Sequence, residues 1–123
     1  MKADYNKKDK HDRIPLHYAF VKIGHPFKTS ELDPIETVSN ILASKDVQVN
    51  QKDIWGNTPL HYAAIVGANI SALSMMKHNV DINAKNCHGN TALNLSLINK
   101  QKFVAMLLIQ ANCDVNVPVN VMT

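Results

Sequence analysis

Histidine and cysteine are the side chains of this sequence that could do chemistry, and their spacing argues against it. His17 and His61 each sit in a Pro-Leu-His-Tyr-Ala segment, so they occupy one equivalent position in two neighbouring units. Packed helices lie roughly 10 Å apart, whereas two imidazoles sharing a zinc ion must each approach it to about 2 Å. A structural role is therefore expected for both. Cys87-His88 supplies half a metal site, but no second cysteine or histidine pair stands at ligand spacing. No Gly-rich phosphate loop, nucleophile elbow or carboxylate pair with an evident partner is present. The expectation is a chain that is not an enzyme by itself and needs no metal or cofactor.

The elements that hold these residues repeat. Asp53 and Asn86, Gly56 and Gly89, Thr58 and Thr91, Leu60 and Leu93, Asp81 and Asp114, Asn83 and Asn116 are each 33 residues apart, and a fixed period of that length predicts a solenoid. Within the 53–85 copy, Thr58-Pro59 reads as a helix start, because a hydroxyl can accept from an exposed amide and proline at the first helical position loses no hydrogen bond. Leu60, Ala63 and Ala64 follow at helical spacing, and Gly67 stops that helix. Ile70, Leu73 and Met76 form the apolar series of a second helix, ending near Asn79, a residue that tolerates the left-handed conformation. The polar stretch from Asp81 to Gly89 is too short for a third helix and predicts a hairpin-like finger.

Composition bounds the function. The net charge is +3, from 13 basic and 10 acidic residues, too mild to argue for nucleic acid. No apolar run is long enough to span a bilayer, and no secretory signal precedes the two cysteines, Cys87 and Cys113, which lie at non-equivalent repeat positions. These features predict a reduced, soluble, intracellular protein of cytoplasm or nucleus, without membrane or nucleic-acid partners.

The residues Asp53, Gly56, Thr58, Pro59, Leu60, His61, Ala63, Ala64 and Gly67, closed by Asp81-Ile82-Asn83, resemble the ankyrin repeat. That resemblance implies an all-α ankyrin-repeat solenoid of about three repeats, each a helix-turn-helix with a β-hairpin-like finger. It also implies that the histidine makes local hydrogen bonds fixing the turn into the first helix, and that Cys113, at a position usually filled by alanine, is buried. The register divides the chain into the end of a preceding repeat (1–8), a repeat over 9–52, repeats over 53–85 and 86–118, and the start of a further finger (119–123). It thus predicts a piece of a longer array, or a monomer. The first repeat holds Asp12 at the finger's glycine position and Ile14 at the capping threonine's. Its excess length lies between its helices, in 21–32, either a tolerated bulge or a binding loop with a modification site at Thr29 or Ser30. Its second helix is predicted to start at Asp33-Pro34, with Ile35, Val38, Ile41 and Leu42 as the buried stripe. In the third repeat, Phe103, Val104, Leu107 and Leu108 should stack on the second helix of the middle one.

Residues that the repeat does not need are the candidates for binding. The family resemblance implies a protein or peptide partner on the concave face, touching Lys10, His11, Arg13, Val21 and Lys22 in the first repeat. In the second it implies Lys52, Ile54, Trp55, Asn57, Ile65 and Val66, and in the third Lys85, Cys87, His88, Asn90 and Ile98. Trp55, the single tryptophan, stands beside Ile54 on a finger where folding requires no aromatic. It is either an interface anchor of a type enriched at hot spots or a staple over its own finger. The basic end of the face implies a partner that is apolar with some acidic character. The segments Leu16–Ile23 and Asp33–Ser39, flanking the insertion, also resemble the ankyrin section of tankyrase-like poly(ADP-ribose) polymerases. The second reading is accordingly a substrate-recruiting section of a larger enzyme.

Overall fold

A computed structural model of the chain describes residues 4–20, 34–111, 116 and 118. Among them are six helices and no strand: α1 (Pro15–Tyr18), α2 (Ile35–Leu42), α3 (Pro59–Val66), α4 (Asn69–Met76), α5 (Ala92–Ile98) and α6 (Lys102–Gln110). They pair as α1 with α2, α3 with α4 and α5 with α6. Each pair stacks on the next through two rows, α1–α3–α5 inside and α2–α4–α6 outside. This is the expected all-α solenoid.

The inner helices start alike. Thr58 and Thr91 cap α3 and α5, their side chains accepting from the amides of His61 and Asn94, while Ile14, with no side-chain oxygen to offer, leaves α1 uncapped by its own side chain. Gly67 ends α3 at φ 78°. The core is the strip between rows: Leu16, Val38, Leu60, Met75, Leu93, Val104 and Leu108 are buried, together with Ala63, Ala64, Ala68, Ala72 and Ala92. The alanines let inner and outer helices approach closely, and each fully buried large side chain contributes roughly 1.5–3 kcal/mol.

Four expectations are corrected. α2 begins at Ile35 with Pro34 at the N-cap, Asp33 lying outside the described residues, and Ile35 is exposed while Val38, Ile41 and Leu42 are buried. In α4 the buried positions are Ser71, Ala72 and Met75, and Ile70 and Leu73 face outward. In α6, Val104, Ala105 and Leu108 are buried but Phe103 is not. In α4 and α6 small residues, Ser71, Ala72 and Ala105, share the buried face with Met75, Val104 and Leu108, and Ile70, Leu73 and Phe103 fall outside it; in α2 the buried face is Val38, Ile41 and Leu42. Finally, α4 ends in right-handed geometry at Lys77. Outside glycine, positive φ occurs at Asp12 and Lys100 among the described residues, and not at Asn79. The expectations for Cys113 and for the 21–32 insertion, Val21 and Lys22 included, concern residues outside the described set.

Candidate functional site

Three fingers are built by one device. Asp9, Asp53 and Asn86 open them, and the Oδ1 of each accepts two backbone amides: His11 and Arg13 at 2.8 and 2.8 Å, Trp55 and Asn57 at 3.0 and 2.8 Å, His88 and Asn90 at 3.0 and 3.0 Å. An amide of the same residue closes each turn on the carbonyl four residues on, Asp53 to Asn57 at 2.9 Å for example. Fingers are then tied in series, Ile54 N–H donating to the His11 carbonyl and Cys87 N–H to the Trp55 carbonyl, both at 3.0 Å. No β-ladder forms among the described residues; the fingers are turns linked by single backbone bonds, the second and third also by Asn86 Nδ2 donating to Asn57 Oδ1 at 3.0 Å. A side chain at Gly56 would place its Cβ 2.8 Å from the Cys87 backbone nitrogen, so this link requires glycine.

The linkage orders the tips. Trp55 stacks on His11 of the preceding finger, ring centroids 5.2 Å apart and planes within 20°. Arg13 holds its guanidinium 5.7 Å from the Trp55 ring and 4.8 Å from that of Tyr18. Arg13 is itself held, Nε pairing with Asp9 Oδ2 at 3.2 Å and Nη2 lying 3.2 Å from His11 Nδ1. Trp55 therefore packs across to the preceding finger and stays 41 % exposed.

Tyr18 and Tyr62, absent from the sequence-based candidates, complete the electrostatics by donating to Asp9 and Asp53. The spacing of nine residues from Asp to Tyr in both copies is the signal that could have found them. Burial, with the Asp53 bond, pushes the Tyr62 hydroxyl up to about 12. Partial burial of Asp9 opposes the hydrogen bonds from Tyr18, Arg13 and His11, but the bonds prevail and hold its carboxyl below the usual range.

His17 and His61 lie behind the fingers, buried. His61 Nδ1 accepts from the Thr58 amide at 2.9 Å and its Nε2–H donates to the Asn90 carbonyl at 3.0 Å. His17 does the same with the Ile14 amide and the Asn57 carbonyl, each at 3.0 Å. Each histidine thus fixes its own helix start, as the resemblance implies, and also bonds the finger of the next repeat. Burial lowers both imidazole pKa values, partly offset by these carbonyls.

Among the remaining candidates, Lys10, Ile54, Lys85, Cys87, His88 and Ile98 are exposed, and Asn57, Ile65 and Val66 are half-buried beside them. Lys52 is exposed but donates from Nζ to the Lys85 carbonyl at 2.9 Å. Asn90 is set aside from the surface: it is buried, its backbone and side chain bonded to His61, Asn86 and Asn94. Among the described residues no group of three or more His, Cys, Asp or Glu is arranged to hold a metal ion, and no helix is long and apolar enough to cross a membrane. A family model of ankyrin repeats, in three copies, matches residues 28–119. A search of curated proteins returns no match.

Proposed function

Because the chain belongs to the ankyrin-repeat family, whose repeats generally serve as protein–protein interaction modules, we propose that it binds a protein segment across its finger row, with Trp55 as the anchor. The single observation that carries this reading is the state of Trp55: a large aromatic, 41 % exposed, held in place by His11 and Arg13 of the neighbouring finger. A side chain ordered before binding loses little rotamer freedom on association, and tryptophan and arginine dominate interface hot spots. Ile54 and Ile65 extend the apolar contact, while Lys10, Arg13 and Lys85 give it a basic border suited to an apolar segment with acidic flanks. The repeats of this reading begin at Asp9, Asp53 and Asn86. Asn6 and Asn50 support that register by making the same pair of bonds, to Asp46 and Gln48 in one case and to Asn79 and Asp81 in the other.

The test is a kinetic binding measurement with the partner recovered on the immobilised protein. Trp55→Ala is expected to weaken binding by about 2 kcal/mol or more, chiefly through faster dissociation, with the helical signal retained. Charge reversal at Lys10 or Lys85 should mainly slow association and flatten its salt dependence. Normal binding by a Trp55→Ala protein that melts early would make Trp55 a staple between fingers and move the site elsewhere.

A further inference from the structure

The outer helices present a second surface. Thr37 and Asn40 of α2, Ile70 and Leu73 of α4, and Phe103 and Met106 of α6 occupy the same two repeat positions at successive intervals of 33 residues, and all six are exposed. In α2 both positions are polar and the helix still packs, so the repeat does not require apolar residues there. On α4 and α6, which pack side by side, they become a continuous apolar strip in which Phe103 is 68 % exposed and Ile70, Leu73 and Met106 are 50, 42 and 48 % exposed. The outward rows of two packed helices lie roughly 10 Å apart, about the width of one helix.

The charge around the strip is one-sided. Residues 54–113 contain four lysines and one acid, Asp81, and neither α4 nor α6 carries a carboxylate. Lys77 follows the end of α4, Lys102 adjoins Phe103 at the start of α6, and Lys100 lies in the turn before it, all three exposed. We propose that the outer face of α4 and α6 docks an amphipathic helix of a partner protein whose apolar stripe is flanked by Asp or Glu. Such a helix matches both the apolar strip and the cationic rim. A second copy of the same face would set lysine rim against lysine rim. An anionic lipid surface is held by clusters of about four to eight Lys or Arg, more than this rim offers.

The probe is a labelled synthetic helix of about four turns, with Leu at i, i+3, i+4 and i+7 and Glu on the flanks, titrated against the whole protein by fluorescence anisotropy. A matched peptide with Lys in place of Glu is the control. The acidic peptide is expected to bind, more weakly as salt rises, and the basic one not. Leu73→Asn combined with Met106→Asn, the residue that α2 already carries at that position, should lower affinity at least about tenfold with unchanged circular dichroism and melting. Should the double variant fail to fold, Phe103→Thr alone tests the same strip at its most exposed side chain. Equal binding of both peptides, no binding of the acidic one, or undiminished binding by a folded variant would overturn the proposal. A dimer in sedimentation that the variant abolishes would overturn it in favour of self-association. Pelleting with vesicles of about one-third phosphatidylserine, without peptide binding, would overturn it in favour of a membrane surface.

Discussion

At His61 a single imidazole closes two contacts, because its acceptor nitrogen faces the Thr58 amide and its donor nitrogen the Asn90 carbonyl. An amide only donates and a carbonyl only accepts, so this pairing admits one neutral tautomer, with the proton on Nε2. Truncation would leave the buried Thr58 N–H without its acceptor and remove one of the two donors on the Asn90 carbonyl, which keeps the Asn86 amide. His61→Ala is therefore expected to cost on the order of 1–3 kcal/mol, read as a lower urea midpoint. Trp55 fluorescence in the folded baseline should remain near that of the native protein, since the finger tip is held by Asp53 and His11. Release of a stoichiometric metal ion from the wild type on this substitution would sink the structural assignment. The third repeat shows a milder solution, Asn94, whose Nδ2 donates to the Pro118 carbonyl at 3.1 Å, so His61→Asn should lose less than His61→Ala.

Turns, at the scale of elements, separate two costs that are usually confounded. Gly56 and Gly89 share φ 79° and one place in the finger, but a Cβ at Gly56 meets the Cys87 backbone while one at Gly89 meets nothing within 4 Å. Gly89→Ala should cost about 1 kcal/mol, the penalty of left-handed backbone, and Gly56→Ala distinctly more, since a backbone atom must move. Equal losses in urea unfolding would mean that the finger-to-finger link is looser than its geometry. Lys100 holds φ 58° where the middle repeat has Gly67, so Lys100→Gly is expected to stabilise by up to about 1 kcal/mol. These positions also show what was legible beforehand. Glycine, threonine and proline announce turns and helix starts by local sterics, so the repeat, its finger and the inner helices follow from the sequence alone. The facing of α4 does not: two of its three buried side chains, Ser71 and Ala72, are small and only Met75 is large, while Ile70 and Leu73, which add to the hydrophobic signal, are outside. Nor does the stacking of His11 on Trp55 follow, since it depends on how neighbouring fingers superpose and not on any spacing within one.

For the molecule as a whole, the two histidines make repeat-to-repeat cohesion sensitive to acid. His17 joins the first finger unit to the second through the Asn57 carbonyl, and His61 joins the second to the third through Asn90. Burial lowers both pKa values from the ordinary 6.5, and a proton added at Nδ1 would also face an amide N–H. Below pH 6.5 the unfolded chain thus binds protons that the folded chain refuses, so the stability present above that value is lost as pH falls towards the depressed folded-state pKa values. Asp9, whose carboxyl is held low, adds a loss only below its ordinary 3.8, which keeps the two effects apart. Because repeats contribute through nearest-neighbour contacts, weakening both joints should also broaden the transition as the repeats uncouple. The measurement is the urea midpoint and m-value between about pH 8 and pH 5. A flat midpoint is expected above neutrality and a decline below 6.5, with the decline largely removed in a His17→Asn, His61→Asn double variant. A wild-type midpoint that stays level to pH 5, or a double variant that falls with the same slope, would place the acid sensitivity elsewhere and leave the histidines as uncharged struts.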